Sequence, residues 1–464
     1  MPIRKKNMKN TDVQASRMEV QQFIDAQPLS RTQKLIIALC FLVVAIDGFD
    51  TAAVGFIAPA LKDAWQLDAT HLAPLFGAGL FGLMAGALIF GPLADKIGRK
   101  PILIGSVLVF GLASLLSAFS PDMTTLVVLR FITGIGLGGA MPNAITLTSE
   151  YCPSARRSSL VTLMFCGFTV GSALGGIVSA QLLSVVDWHG ILAIGGVLPL
   201  LTLPFLIWLL PESLRFMVLQ NQSPSKITAT AKRLLPAGQN EVPELVASKH
   251  EKAKVSVKEL FSKDYAVGTM LIWSAFFMSL LIIYLISSWM PTLLKGVGFD
   301  LKNASWITSV FQIGGTVGAI ALGYLMDRMG ASKVLCAAYV LGAVFVVMVG
   351  QGITSLNMAL LLIGMFGVGV GISGSQVGAN AFSSAFYPTH CRATGVSWAN
   401  AAGRSGSVVG SLVGGWLMQM HMSAAQIMGL LAIPALLAAV AFFLISRRMR
   451  GQMAAQGLNT ATAK

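Results

Sequence analysis

GPLADKIGRKP, Gly91–Pro101, and GYLMDRMGASK, Gly323–Lys333, carry one pattern twice: Gly91, Asp95 and Gly98 return as Gly323, Asp327 and Gly330 at a single offset. Each copy follows an apolar run of membrane-crossing length. Further along, Pro153, Arg157, Gly171 and Gly175 return as Pro388, Arg392, Gly406 and Gly410, again at one offset. A bilayer core needs roughly 20 mostly apolar residues per helical span. Counting such runs outward from the two loops gives twelve: 35–58, 72–93, 102–119, 124–147, 159–183, 191–210, 266–290, 304–326, 334–352, 356–385, 393–420 and 424–445. The charged stretch 211–265 separates six spans from six. The expected fold is an all-α integral membrane protein of two pseudo-symmetric six-helix bundles, 35–210 and 266–446, with a polar segment 1–34, a central loop 211–265 and a tail 447–464. Duplicated bundles place a binding site at their interface near the midplane.

Composition agrees. Hydrophobic residues make up 55% of the 464 and charged residues 11%, whereas soluble domains average about 25% charged. With both termini on one side, the connections on the other side hold only Lys62, Lys295 and Lys302. Arg130 and Arg404 fall within spans, and every other Lys and Arg lies on the side of the termini. Basic flanks mark the cytoplasmic side, so both termini are expected there. The same bias accounts for the net charge of +14 through loops facing an anionic lipid surface, and no nucleic-acid partner is needed. The first apolar run lacks a small-residue cleavage site and reads as a retained span. Five cysteines, Cys40, Cys152, Cys166, Cys336 and Cys391, form no metal-ligand spacing and are expected as free thiols.

Two carboxylates, Asp47 and Asp50, sit in the middle of FLVVAIDGFDTAAVGFIAPA, Phe41–Ala60. An ionised acid at the centre of a span costs about 2.5 to 3.5 kcal/mol on insertion, so such groups face protein or a wet cavity and mark ion pathways. Spaced i, i+3, both project from one helical face. Arg130 and Arg404 are the basic residues inside apolar spans. A guanidinium grips a carboxylate through two parallel hydrogen bonds, which suits an organic anion, or it pairs permanently with a neighbouring aspartate. Desolvation favours the neutral carboxyl and a nearby arginine the ionised one, so an anion occupying the arginine would release an aspartate to take up a proton. One aspartate would carry the proton and the other support it, with the assignment left open.

GPLADKIGRKP resembles the loop signature of the major facilitator superfamily, and LRFITGIGLGG, Leu129–Gly139, resembles its fourth-span motif with an embedded arginine. More narrowly, DGFD at Asp47–Asp50, MPNAITLTSEY at Met141–Tyr151, LPESLRF at Leu210–Phe216 and FYPTHCRATGVSW at Phe386–Trp398 are similar to the aromatic acid:proton symporters. That family includes bacterial permeases for 4-hydroxybenzoate, protocatechuate, benzoate and vanillate. The likeness extends from Asp12 to the last span. It implies a monomeric inner-membrane transporter, not an enzyme, that imports a small aromatic carboxylate with protons and needs no cofactor or metal. Ser172 stands in GSALGG where the superfamily's antiporters have proline, which implies symport or facilitation rather than antiport. The loop after the eighth span carries Ala331, Ser332 and Lys333 in place of the histidine common in hydroxybenzoate permeases. Hydroxybenzoate or protocatechuate leads, with benzoate, vanillate, gallate and muconate open and facilitated passage or export as the other class.

Spans one, four, seven and ten line the cavity in that superfamily. This nominates Asn143, Tyr284, Gln376 and Asn380 beside Arg130 and Arg404 as substrate-binding residues, each of which could equally bond a neighbouring helix. Trp398, Phe49 and Trp289 would stack on an aromatic ring or simply pack. Asp95, followed by Lys96, Arg99 and Lys100, reads as a latch on the cytoplasmic face, with Gly91 and Gly98 permitting the turn and Asp327 and Arg328 as the second copy. Glu150, Arg156, Arg157 and Arg392 read as gate or topology residues. The glycines at four-residue spacing, Gly167, Gly171 and Gly175 and then Gly406, Gly410 and Gly414, read as close helix packing.

Overall fold

The computed structural model describes residues 17–236, 241–247, 257–262, 265–387 and 391–462. Pro388, the beginning of the amino-terminal lead-in, parts of the central loop and the last two residues lie outside the described residues. Among the described residues, ten helices are long and apolar enough to cross a membrane. One of them, Arg157–Leu209, contains two helices meeting at Asp187, whose φ of 56° and ψ of −177° are not helical. Arg392–Gln419 is a further helix of 28 residues, rich in glycine, serine and alanine. Dividing the first and adding the second brings the ten to the twelve expected spans.

The helices are Arg31–Ala64, Ala69–Ile97, Arg99–Ser117 and Met123–Tyr151 for spans 1 to 4, then 157–186 and 188–209 for spans 5 and 6. Ala266–Gly296, Leu301–Met329, Ala331–Thr354, Met358–Phe386, Arg392–Gln419 and Ala424–Thr462 are spans 7 to 12. Most exceed their apolar runs because polar residues finish the ends. Ser30 accepts from the Gln33 amide at 3.2 Å while the Gln33 side chain accepts from Ser30 N–H at 2.7 Å, satisfying amides a helix start leaves open. Span 12 runs on as helix into the segment 447–464, as far as Thr462. Span 10 is interrupted by a π-helical turn at Gly369–Ser373, where glycines let the backbone widen.

The repeated loop glycines have a conformational cause. Gly98 and Gly330 join spans 2 to 3 and 8 to 9 at φ of 112° and 91°, values that L side chains seldom adopt. The glycine stripes are the sites where helices touch. A Cβ at Gly171 would strike the carbonyl of Ala45, and one at Gly48 the backbone of Phe168, locking span 1 to span 5. Gly406 and Gly410 lie in the same way against the carbonyls of Phe277 and Leu281, locking span 11 to span 7. In lipid, where side chains gain little by leaving the solvent, such close contact holds helices together.

The polar lead-in is more ordered than its composition suggests. Arg17–Glu19 pairs in parallel with Glu244–Val246 of the central loop, a two-stranded exception to the all-α expectation. Beside it Phe23 and Ile24 are buried in one apolar cluster with Leu234 and Leu245.

The two halves meet unevenly. On the side away from the termini a single apolar cluster takes in Ile57, Leu61, Leu72 and Trp188 of the first half and Trp289, Leu293 and Ile307 of the second. Trp289 packs edge-on to Phe76 at 5.0 Å, and Lys295 pairs with Asp63 across the gap. Thr316 donates to Thr169 at 2.6 Å, joining span 8 to span 5 at mid-depth. Toward the termini the cores divide. Ile36, Val43, Val107 and Leu147 belong to a cluster of the first half, and Leu260, Tyr387 and Cys391 to a cluster of the second. Among the described residues, the halves share a core on the far side, while toward the termini the first half keeps a core of its own.

Candidate functional site

Asp47 and Asp50 leave the same stretch of span 1 toward different partners. Asp50, 2% exposed, is fully engaged: Arg130 Nη1 donates to its Oδ2 at 3.0 Å and Ser114 Oγ to its Oδ1 at 2.5 Å. Arg130 Nη2 in turn donates to Ser117 Oγ at 3.1 Å. Spans 1, 3 and 4 are thereby tied by one buried, hydrogen-bonded ion pair, in which Arg130 Nε alone of the guanidinium nitrogens has no hydrogen-bond partner among the described residues.

Asp47 is fully buried and only half satisfied. Its Oδ1 accepts from Thr51 Oγ1 at 3.2 Å, whereas its Oδ2 has no hydrogen-bond partner among the described residues. Arg404 of the opposite half lies within electrostatic reach of it, with no direct ion pair between the two among the described residues. Arg404 Nη1 donates to Tyr284 Oη at 3.1 Å and Nη2 approaches Met141 Sδ at 3.9 Å. A thioether is a weak acceptor, so this guanidinium retains donors for a stronger one. Arg404, Tyr284, Met141 and Asp47 bring spans 11, 7, 4 and 1 together at mid-membrane, astride the division between halves.

A cavity adjoins them on the sealed side. Thr51, Asp50, Arg130, Thr133, Tyr284, Ser288 and Ser411 supply its polar atoms, and Val54, Leu75, Phe76, Leu80, Leu83 and Leu137 its apolar wall. The other nominated residues are less directly placed. Asn143 Nδ2 donates to the carbonyl of Gly139 in its own helix at 2.7 Å. Asn380 Nδ2 donates to the Gln376 carbonyl at 3.1 Å, while Gln376 Oε1 is buried without a hydrogen-bond partner among the described residues. Trp398 does not line this cavity: it is 44% exposed and stacks on Trp273 at 5.7 Å. Trp289 and Phe49 are buried in the seal.

The face of the termini holds a charged network. Asp95 pairs with Arg99 at 2.9 Å, Arg99 approaches Glu150 at 3.6 Å, and its guanidinium lies over the Phe216 ring at 5.3 Å. Glu212 accepts from the backbone N–H groups of Arg99 and Ser213 at 3.1 and 2.8 Å and so neutralises the positive start of span 3. A Cβ at Gly98 would collide with that carboxylate. Burial pushes the Glu212 carboxyl up, and these amides pull against it. Arg157 lines a cleft with Glu19, Glu150 and Arg215. These contacts knit spans 2, 3 and 4 to the segment after span 6, all within the first half. In the second copy Asp327 is exposed, Arg328 lies over Tyr324 at 4.3 Å, and Arg392 Nε donates to the Tyr387 carbonyl at 3.3 Å. The space around Gly91 is open.

Glu212 went without a role in the sequence although it stands in LPESLRF, and the Asp63–Lys295 pair was invisible because each residue reads singly as a loop charge.

Twelve membrane helices in two like halves, with ionisable residues gathered where the halves meet, define a multi-pass membrane transporter rather than an enzyme. The chain belongs to the Major Facilitator Superfamily, which it matches over residues 40–304 and 272–461. It is 42% identical over 447 residues to a 4-hydroxybenzoate transporter of Acinetobacter baylyi, covering 95% of this chain and 97% of the relative. A 4-hydroxybenzoate transporter of Pseudomonas putida is 45% identical over 91% of this chain and 94% of its own length. A gallate transporter of Pseudomonas putida is 44% identical with the same coverage. Among solved structures, the inward-open xylose transporter of E. coli superposes with a TM-score of 0.68 at 17% identity, covering 89% of this chain and 95% of that one, a likeness of fold.

Proposed function

We propose that the chain imports an aromatic carboxylate of the hydroxybenzoate type together with protons, by alternating exposure of the Arg404 site to the two sides of the membrane. The observation that carries this reading is the unequal state of the two aspartates. Asp50 is committed to Arg130, whereas Asp47 is buried with one oxygen that has no hydrogen-bond partner among the described residues, within electrostatic reach of Arg404 of the opposite half. A substrate carboxylate on Arg404 takes over the charge that stabilises ionised Asp47, and Asp47 then holds a proton. Discharge of either ligand restores the pull of Arg404 on Asp47. Arg130 acts as a structural counter-ion that keeps Asp50 from competing. The named substrates of the relatives agree with an apolar-walled cavity whose Tyr284 hydroxyl accepts from Arg404.

In this reading the basic loops and both termini are cytoplasmic and the host is the inner membrane, which makes the structure inward-facing, with Phe76, Trp289 and the Asp63–Lys295 pair closing the outer side. Glu212, Arg99, Glu150 and Arg157 would steady the inner ends as the halves close. One chain supplies both walls of the site, so a monomer suffices. If one proton accompanies one monoanion, no net charge crosses, and each further proton adds about 2.3 kcal/mol per 100 mV of membrane potential. The test is uptake of labelled 4-hydroxybenzoate into proteoliposomes carrying the purified protein. Accumulation that follows an imposed pH gradient and vanishes with a protonophore is expected. Equilibration unaffected by the gradient would instead establish a facilitator.

A further inference from the structure

We infer that the paired hydroxyls of Ser288 and Ser411 form a subsite that reads a ring hydroxyl of the substrate on the cavity wall beyond Tyr284. The inference rests on the reading of that cavity as an aromatic carboxylate site. Serine and threonine side chains in these spans commonly return their proton to their own helix: Ser407 Oγ to the Arg404 carbonyl at 2.7 Å, Thr133 Oγ1 to that of Leu129 at 2.8 Å, and Ser309 Oγ to that of Ser305 at 2.7 Å. Ser288 and Ser411 differ. Among the described residues their side chains share one contact, with each other, at 3.4 Å, long for a hydroxyl pair whose usual separation is about 2.7 to 2.8 Å. Both are buried and both line the cavity. Each therefore retains a proton and lone pairs that a polar group entering the cavity can take.

Their placement is fixed from behind. Trp289 Nε1 donates to the Ser411 carbonyl at 2.8 Å, so the residue that seals the outer side also anchors span 11 at this level. Ser411 lies seven residues beyond Arg404 on span 11, two turns along one face and about 10 Å along the axis. Ser288 lies one turn beyond Tyr284 on span 7. A carboxylate at Tyr284, whose hydroxyl accepts from Arg404, one benzene ring between the walls of Leu80 and Leu137, and a hydroxyl at the far edge with a hydrogen bond of about 2.8 Å fill that separation. An unsubstituted benzoate leaves the serines as they are, whereas a 3- or 4-hydroxyl gains a donor and an acceptor. The subsite would favour hydroxylated benzoates over benzoate.

The test is competition of benzoate and 4-hydroxybenzoate against labelled 4-hydroxybenzoate in proteoliposomes of the parent, the Ser288→Ala/Ser411→Ala variant and the Ser288→Thr variant. The expected result is a parent that favours the hydroxylated acid, a ratio of apparent affinities that falls roughly tenfold in the alanine variant, as befits about one lost hydrogen bond, and a ratio kept in the threonine variant. A parent that does not discriminate, an unchanged ratio, or a parallel loss for both acids overturns the subsite. A parent that binds neither acid overturns the underlying reading of the cavity instead.

Discussion

Asp50→Asn and Asp47→Asn differ by three positions and should have opposite consequences for stability. At Asp50 the substitution leaves the Arg130 guanidinium, 3% exposed, without the anion held at 3.0 Å. Removing one partner of a buried pair costs about 3 to 5 kcal/mol because the other charge stays desolvated. At Asp47 the lost oxygen had no hydrogen-bond partner, and replacing a half-satisfied carboxylate by a neutral amide removes a desolvation cost, so the change in stability is expected near zero or favourable. The assay is denaturation of the purified variants in one detergent, with a double-mutant cycle on Asp50→Asn and Arg130→Met. A coupling of about 3 kcal/mol is expected between Asp50 and Arg130, and a far smaller one between Asp47 and Arg130. Equal destabilisation by both asparagine variants, or an additive Asp50–Arg130 cycle, would refute the division of labour between the two aspartates.

Other outcomes follow from the packing and the gates. Gly171→Val places side-chain atoms on the Ala45 carbonyl and should abolish recovery of folded protein on size-exclusion chromatography, whereas Gly323→Ala, in open space, should not. Asp63→Cys/Lys295→Cys joins the two halves where they already touch. Oxidation should stop uptake and reductant restore it, with the parent and its five unpaired thiols as the control. Gly98→Ala puts a side chain at φ 112° against the Glu212 carboxylate and should lower uptake at least as much as Glu212→Gln, read as initial rate at equal surface expression.

The architecture was legible because lipid imposes long apolar runs and because duplicated motifs keep their spacing. Gly98 and Gly330 repeat since both turns need positive φ, and the Gly171 and Gly406 stripes repeat since both sit on a neighbour's carbonyls. Asp47 and Asp50 declared themselves by their cost in an apolar span. Their different partners did not, because i, i+3 spacing gives a common face and not the neighbours around it. Trp398 shows the converse limit: an aromatic in a span reads alike whether it meets a substrate or another ring, and here it stacks on Trp273. The Arg17–Glu19 strand was hidden because three residues without apolar alternation leave no trace until Glu244–Val246 is folded beside them. The seal of Phe76 on Trp289 joins residues from opposite halves, a distance no local pattern spans.

The most direct test of the central claim separates substrate exchange from proton-driven accumulation in Asp47→Asn. Proteoliposomes preloaded with unlabelled 4-hydroxybenzoate should still exchange it for external label, since Arg404 and Tyr284 remain, while an imposed pH gradient should no longer drive accumulation and external alkalinisation should be absent. Accumulation by Asp47→Asn that still follows the pH gradient, with protons still entering, would contradict the account.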